Sequence, residues 1–399
     1  MKICVLGLGY MGLPTASLFA THNYEVVGVD IDEQKVASLN QGKCPFEEPG
    51  LDELFKKAHE GGHFKATTQI ESADVFIIAV PTPLTEKKAE LKYVKSATEM
   101  ISGVLKEGNL VVLESTVSPR TCVDVIKPIL DKVTPNYLLS HCPERAIPGN
   151  TMYEIVHNDR IIGGFDEEST KFTVKLYESF VKGEIFTTDI TTAETCKLME
   201  NTFRDANIAL ANEFAKICDE LGIDVWEATY LANRHPRVNI LQPGPGVGGH
   251  CLAVDPWFLT EKSSTAKLIP AARAINDSMP AYTVEQLQKK LNPPAIIGVL
   301  GVAYKKNVDD ARETPAQGII QSLKEKGYEV MATDPYINDF TEELFPLNEV
   351  LEKSTGIILV TDHDDYKEID FEKFTNIKTI MDTRNTLQNL KSDDRYFTL

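Results

Sequence analysis

The chain has 399 residues, 42% hydrophobic and 25% charged, which suits two or three globular domains of roughly 150 residues and excludes disorder, a disulfide-stapled miniprotein or a fibrous repeat. Forty-one basic residues against 59 acidic ones leave a net charge of −18. That balance argues against a surface for nucleic acid or anionic membrane, so an anionic ligand would need locally concentrated cations.

Seven cysteines without CxxC spacing read as reduced thiols of a cytoplasmic protein. The opening Met1-Lys2-Ile3-Cys4-Val5-Leu6 is broken by Gly7, Gly9 and Gly12, which disfavours a signal peptide. No run approaches the ~18 apolar residues of a membrane span.

Apolar runs at Lys2–Leu6, Glu25–Asp30, Asp74–Val80, Leu110–Glu114, Tyr137–His141, Arg160–Gly164 and Glu184–Thr187 predict strands of a parallel sheet, buried on both faces. Helix-like segments alternate with them, as in a doubly wound α/β domain ending near residue 190. Gly7-Leu8-Gly9-Tyr10-Met11-Gly12 lies between the first strand and a helix pattern, and Asp30 follows 18 residues after Gly12. Glycines there allow a pyrophosphate to approach a helix N-terminus. Asp30 suits an adenosine ribose diol and would repel a 2′-phosphate, which favours NAD over NADP. Pro81-Thr82-Pro83, Glu114-Ser115-Thr116 and Pro143-Glu144-Arg145 end strands, where ligands of such sheets bind, although each also reads as turn chemistry.

From Thr192 to about Leu221 the pattern is one long helix, with Lys197, Asn201 and Arg204 at i, i+4 and i+7 on one face. Glu194 and Glu200 flank Lys197, as on a solvated helix. Helices are predicted at Trp226–Ala232 and Ile269–Lys290. Between them lie the basic cluster Arg234-His235-Pro236-Arg237 and the loop from Gln242 through Gly244, Gly246, Gly248 and Gly249 to His250-Cys251. The loop lacks the Lys-Ser/Thr ending of a Walker motif. Its glycines leave Cys251 unshielded as a candidate nucleophile, with Asp255 one helical turn on; a neutral buried cysteine fits the pattern equally. His250 is the immediate neighbour, so a cysteine–histidine dyad is disfavoured.

Asn292-Pro293-Pro294 marks a boundary. Beyond it Val299-Leu300-Gly301-Val302-Ala303-Tyr304 echoes Val5-Leu6-Gly7-Leu8-Gly9-Tyr10, and Asp334 echoes Asp30. The echo predicts a second, smaller Rossmann-like domain with later strands at Gly356–Thr361 and Lys378–Asp382. Ala303 removes the second glycine, and the longer turn carries Lys305, Lys306, Asp309, Asp310 and Arg312. Cations at such a switch point suit a nucleoside diphosphate, or simply make a solvated charged loop.

Together these motifs resemble the UDP-glucose/GDP-mannose dehydrogenase family over essentially the whole chain. The likeness rests on the N-terminal fingerprint, Glu114-Ser115-Thr116, Pro143-Glu144, Lys197-Leu198-Met199-Glu200-Asn201 and Gly248-Gly249-His250-Cys251-Leu252-Ala253-Val254-Asp255. It extends to Gly301–Lys305, Asp310–Pro315 and Asp382-Thr383-Arg384-Asn385. Asn201–Glu213 and Asn233–Gly244 resemble members acting on UDP-N-acetyl-D-mannosamine. UDP-glucose members differ in carrying a glutamate where this chain has Pro148 and a lysine where it has Val254.

The resemblance implies two Rossmann-like doubly wound α/β domains joined by a long central helix and a helical dimerisation region. Their expected bounds are residues 1–190 for NAD, 191–291 for the catalytic and dimerising part, and 292–399 for the UDP-sugar. It implies two-step oxidation of a sugar C6 alcohol by NAD⁺, with Cys251, Lys197, Asn201, Asp255, Thr116 and Glu144 in catalysis. Gly7, Gly9, Tyr10, Met11, Gly12, Asp30, Lys35, Thr82, Thr116 and Arg312 would hold NAD. Arg145, Ala146, Lys197, Asn201, Arg204, His235, Arg237, Gly248, Tyr304, Lys305 and Arg384 would hold the UDP-sugar, with His235 and Arg237 reaching in from a second subunit. No metal is expected. A UDP-N-acetylglucosamine or UDP-glucose 6-dehydrogenase and a non-catalytic nucleotide-sugar binding module stay open as alternatives.

Overall fold

Alternation within apolar strands sets up the first sheet. In Lys2–Leu6 (β1), Ile3 and Val5 enter one core layer while Cys4 and Leu6 enter the other. Such two-sided burial goes with helices on both faces of a largely parallel sheet. The computed structural model describes residues 1–147 and 149–399, so Pro148, noted above as a family departure, lies outside the described residues.

The following strands are Glu25–Val29 (β2), Phe64–Thr67 (β3), Val75–Ile78 (β4), the hairpin Leu84–Thr85 (β5) and Lys88–Ala89 (β6), Leu110–Leu113 (β7), Leu138–His141 (β8), Arg160–Gly164 (β9) and Ile185–Asp189 (β10). Eight of them form one sheet in the order β10-β9-β8-β7-β4-β1-β2-β3. Every strand expected here from sequence is present to within two residues at either end. One expectation is corrected: β9 runs antiparallel to β8, with Ser140 opposite Gly164 and His141 opposite Gly163. A strand buried on both faces looks the same in either direction, and its connection alone decides which way it runs. The strand β3 was not anticipated because it lies at the sheet edge and alternates buried Phe64 and Ala66 with more open Lys65 and Thr67.

The chain folds as two compact units, Met1–Glu200 with Trp257–Ser263, and Asn201–Pro256 with Ser264–Leu399. The long helix spans Ile190–Leu221, 32 residues. In the second unit, Ile296–Leu300 (β11), Glu329–Thr333 (β12), Gly356–Leu359 (β13), Thr379–Asp382 (β14) and the unanticipated Tyr396–Thr398 (β15) form a sheet in the order β12-β11-β13-β14-β15. All its pairs are parallel, and the order reverses beside β11, where such sheets bind ligands.

The internal repeat is physical as well as textual. Asp30 Oδ2 accepts the Leu8 N–H at 2.9 Å. Asp334 Oδ2 accepts the Val302 and Ala303 N–H groups at 2.7 and 2.9 Å. Each carboxylate at the end of a second strand thus fixes the turn after the first. Among the described residues, no helix is long and apolar enough to cross a membrane.

A buried polar cluster ties the helix Leu268–Gln288 to the long helix. Arg273 Nη1 donates to Asp205 Oδ1 at 2.6 Å, and Asn276 Nδ2 donates to the same oxygen at 2.8 Å. Both Asp205 and Arg273 are buried, so removing one leaves an uncompensated charge, a loss of about 3–5 kcal/mol. Arg273→Leu is expected to destabilise the fold by that order, read as a lower urea midpoint. Adding Asp205→Asn should recover part of it, measured by circular dichroism.

Candidate active site

The first unit holds the dinucleotide turn. Gly7 sits at φ +93, and a Cβ there would lie 2.5 Å from the Ala79 carbonyl oxygen; a Cβ on Gly12 would lie 1.9 Å from the Gly7 oxygen. By contrast, a Cβ on Gly9 would meet nothing within 4 Å. The turn is therefore closed on its strand side and open at its middle glycine, ahead of the helix Gly12–Thr21, which is the cradle a pyrophosphate needs.

Asp30 accepts N–H groups from Leu8 and Asp32 and the Lys35 ammonium at 2.9 Å. Burial pushes its carboxyl up, but the bonds from Asp32, Lys35 and Leu8 together hold it below the usual range. A fixed anion at this point accepts a ribose diol and rejects a 2′-phosphate. These residues fit NAD. Alongside them Tyr10 packs on Phe46, with ring centroids 4.4 Å apart, Met11 stands at the position just before the helix, and Thr82 Oγ1 donates to the Thr116 carbonyl at 2.7 Å. Arg312 belongs to the second unit, where its guanidinium grips Asp310 through two bonds of 2.9 and 2.6 Å.

Behind the strand ends lies a buried ionic cluster that sequence reading only partly found. Glu144 Oε1 accepts the Arg145 and Ala146 N–H groups at 2.7 and 2.8 Å, and its Oε2 accepts Arg160 Nη2 at 2.9 Å. Burial pushes Glu144 up, but the Arg160 charge and the two N–H groups outweigh it and hold the carboxyl below its ordinary range. Such a saturated carboxylate shapes the backbone at residues 145–146 and is poorly suited to take a proton.

Glu114 accepts the Tyr177 hydroxyl at 2.5 Å and Thr15 Oγ1 at 3.2 Å. Its burial, opposed by Arg160 and reinforced by Glu144, pushes it up to about 7. The Arg145 fork is held by Glu200, with Nη2 to Oε1 at 2.8 Å, and by the Asp159 carbonyl at 2.7 Å. Arg160 carried a signal that was passed over: it is the one charged residue of an otherwise apolar strand, and buried charges require partners.

The second unit assembles the thiol and its loop. Cys251 is exposed, and its carbonyl accepts the Val254 and Asp255 N–H groups at 3.1 and 2.9 Å. Asp255 opens the helix Asp255–Thr260 and is buried, and its Oδ2 accepts Asn201 Nδ2 at 2.6 Å. Upstream, the Gly244 N–H donates to Asn212 Oδ1 at 2.8 Å, and Asn212 Nδ2 donates to Asn276 Oδ1 at 2.9 Å. Neither asparagine was singled out from sequence, because a buried amide pair has no local pattern.

Bulk is excluded at Gly248, and at Gly244 it would displace the Arg384 guanidinium. A Cβ on Gly244 would lie 2.7 Å from Arg384 Nη1, and one on Gly248 would lie 2.9 Å from Tyr304 Cβ. Gly249, at φ +81, donates its N–H to the Arg312 carbonyl at 3.0 Å. Arg384 is presented by Asp382, which accepts the Arg384, Thr386 and Leu387 N–H groups at 2.9, 2.7 and 2.7 Å. Burial pushes the Tyr304 phenol up, with the charges of Asp310 and Cys251 adding to it. Gly248, Cys251, Tyr304, Arg312 and Arg384 thus converge. Lys197 is buried on the long helix, whereas Arg204, His235, Arg237 and Lys305 are exposed.

A simple alcohol dehydrogenase has no use for an exposed thiol. An exposed thiol in one chain with an NAD turn suits an oxidoreductase with a nucleophile to spare. Comparison with known proteins agrees. Models of the UDP-glucose/GDP-mannose dehydrogenase family match at residues 1–181 (NAD binding domain), 191–278 (central domain) and 298–389 (UDP binding domain). The chain belongs to this family, and it is an NAD-dependent dehydrogenase of a UDP-sugar.

The UDP-N-acetyl-D-mannosamine dehydrogenase of Methanocaldococcus jannaschii is 49% identical, over 97% of this chain and 92% of that protein. A Pyrococcus horikoshii structure described as UDP-D-ManNAc dehydrogenase matches with a TM-score of 0.94 at 41% identity, covering 100% of this chain and 99% of that one. The UDP-N-acetyl-mannosamine dehydrogenase of Staphylococcus aureus matches with a TM-score of 0.92 at 42% identity, covering 100% and 98%.

Glu114 offers a test of the buried cluster. A carboxyl raised in the folded state binds more protons there than when unfolded, so stability falls as pH rises from about 4.3 towards about 7. Glu114→Gln removes that term. Its melting temperature relative to the parent should therefore increase between pH 5 and pH 8, read by differential scanning fluorimetry.

Proposed function

We propose that the protein oxidises the C6 alcohol of UDP-N-acetyl-D-mannosamine to the carboxylate of UDP-N-acetyl-D-mannosaminuronate, consuming two NAD⁺. The observation that carries this reading is the exposed Cys251 with Asp255, one turn on, anchored to Asn201. The sugar is taken from the names of the relatives and the stretches Asn201–Glu213 and Asn233–Gly244. NAD, when bound, accepts one hydride at each oxidation. The protein's own groups do the rest.

Lys197, Asn201 and Asp255 position the C6 oxygen and a water that receives the alcohol proton. The Cys251 thiolate then attacks the aldehyde carbon. A C–S bond forms, the carbonyl pair moves to oxygen, and a thiohemiacetal results whose C6 again bears a hydride to lose. The second oxidation leaves a thioester, and water hydrolyses it, releasing the carboxylate and the thiol. Lys197 is assigned the cation that favours the thiolate and steadies the oxyanion. Thr116 helps hold the reacting oxygen. Glu144, saturated as it is, contributes by fixing the backbone of Arg145 and Ala146.

Gly248, Tyr304, Lys305 and Arg384 are assigned to the UDP-sugar with Arg145 and Arg204, and Arg312 to the NAD phosphates. Residues 1–190, 191–291 and 292–399 are the corresponding cofactor, catalytic and UDP-sugar domains. A homodimer through the central helices would let a partner's loop at His235 and Arg237 complete the sugar site. The support is an uncovered apolar stripe on the long helix, Phe203, Leu210 and Ile217 at seven-residue spacing, with Leu221. A cytoplasmic location follows from the need to keep Cys251 reduced.

NADH absorbance with a panel of UDP-sugars tests the reading. UDP-N-acetyl-D-mannosamine should give two NADH per sugar and exceed its gluco epimer. No NADH from any sugar would leave a binding module instead. Cys251→Ser should abolish full oxidation while both ligands still bind by calorimetry, and parental turnover in that variant would end the covalent route. Phe203→Glu with Ile217→Glu should convert the dimer to monomer in light scattering.

A further inference from the structure

The segment that follows Cys251 is built into the first unit. Trp257–Ser263 belongs there, although residues on both its sides belong to the second. Phe258 is buried. Glu261 Oε2 accepts the Ala89 N–H at 3.2 Å and, in a shorter bond, the hydroxyl of buried Ser118. Lys262 Nζ lies 2.9 Å from Asp124 Oδ2, and the Lys87 ammonium stands 4.4 Å above the Trp257 ring.

Ala89 ends the hairpin that follows Thr82, and Ser118 lies two residues after Thr116. Those two loops are already joined by the bond from Thr82 Oγ1 to the Thr116 carbonyl. One carboxylate oxygen therefore clasps both cofactor-side loops. It does so from the residue directly after the helix Asp255–Thr260, whose first N–H is bonded to the Cys251 carbonyl.

We infer that Glu261 is a positioning residue for the second oxidation, tethering the cysteine-bearing segment to the loops that carry Thr82 and Thr116. The inference rests on the double oxidation proposed above. The first oxidation forms no bond to sulfur and needs the alcohol, the cofactor and the groups that position the C6 oxygen. Capture of the aldehyde needs the Cys251 sulfur at bonding distance from C6, and a displacement of about 1 Å can cost on the order of a hundredfold in rate. Slackening the tether therefore penalises capture more than the first hydride transfer, and free aldehyde escapes. The Glu261–Ser118 contact needs an acceptor and not a charge, because both its partners are donors.

The experiment is full-length enzyme with UDP-N-acetyl-D-mannosamine, excess NAD⁺ and semicarbazide to trap aldehyde, counting NADH per sugar. The parent should give two NADH and no trapped aldehyde. Glu261→Ala should give fewer than two, with trapped aldehyde making up the difference and NAD affinity within twofold of the parent. Glu261→Gln, whose amide oxygen accepts the same two bonds, should restore the parental count.

A folded Glu261→Ala enzyme that gives two NADH and no aldehyde would overturn the inference. Should that variant fail to fold, Ser118→Ala decides, since it removes one donor and leaves the segment intact. Partial aldehyde release supports the tether, and a parental count overturns it. A parent enzyme that yields no NADH would instead defeat the double-oxidation reading itself.

Discussion

Everything the thiol can do depends on one buried hydrogen bond, from the Asn201 amide to Asp255 at 2.6 Å. Cys251 lies exposed at the end of a glycine-rich loop, the kind of segment that is ordinarily mobile. Its freedom is removed from both directions. Asp255, one turn on, is fastened to the long helix. Gly244, upstream, is fastened to the same helix through Asn212, whose amide is in turn held by Asn276. The loop keeps the open glycine backbone that a ligand needs while its ends are set by buried amides. Each of those amides would cost about 1–3 kcal/mol if left without a partner, which is what fixes the geometry.

One structural device serves both sheets with opposite results. A carboxylate at the end of the second strand accepts the N–H groups of the turn after the first, Asp30 in one unit and Asp334 in the other. Asp30 has the Lys35 ammonium as its other partner and belongs to a turn whose middle glycine faces open space. Asp334 is fully covered and receives the His363 ring at 3.0 Å, with Tyr336 stacked on that ring at 4.9 Å. Histidine and tyrosine thus occupy the surroundings that an adenosine ribose would need. The second turn thus keeps the carboxylate scaffold of the first, while Ala303 stands at its middle position and its carboxylate is covered.

Legibility from sequence followed the range of the interaction. The turn at Gly7–Gly12, the strands buried on both faces and the 32-residue helix are written in local periodicity, and they were read to within two residues. The reversal of β9 was not, because direction is a property of the connection. The edge strand β3 was hidden by its low apolar content. The bond from Asn201 to Asp255 joins two residues that type and spacing single out in the sequence. The partners that fix the loop upstream of the cysteine, Asn212 and Asn276, sit in the core, where nothing nearby in sequence announces hydrogen bonds made across 32 and 64 residues.

The acidic balance of the chain now reads as part of the site's construction. A lone guanidinium or ammonium in a half-buried cleft carries a heavy desolvation cost. Four of the cations named above come already paired: Lys35 with Asp30, Arg145 with Glu200, Arg160 with Glu144 and Arg312 with Asp310. Each carboxylate fixes its partner's orientation, so these side chains are held in place by the protein's own groups. The remaining attraction comes from backbone N–H groups at glycine turns and helix starts, which carry partial positive charge without a counter-ion. A protein with a net charge of −18 can therefore hold a doubly charged nucleotide, because the field a phosphate feels is set by oriented groups within a few ångströms, and screening over about 8 Å at physiological salt removes most of the rest.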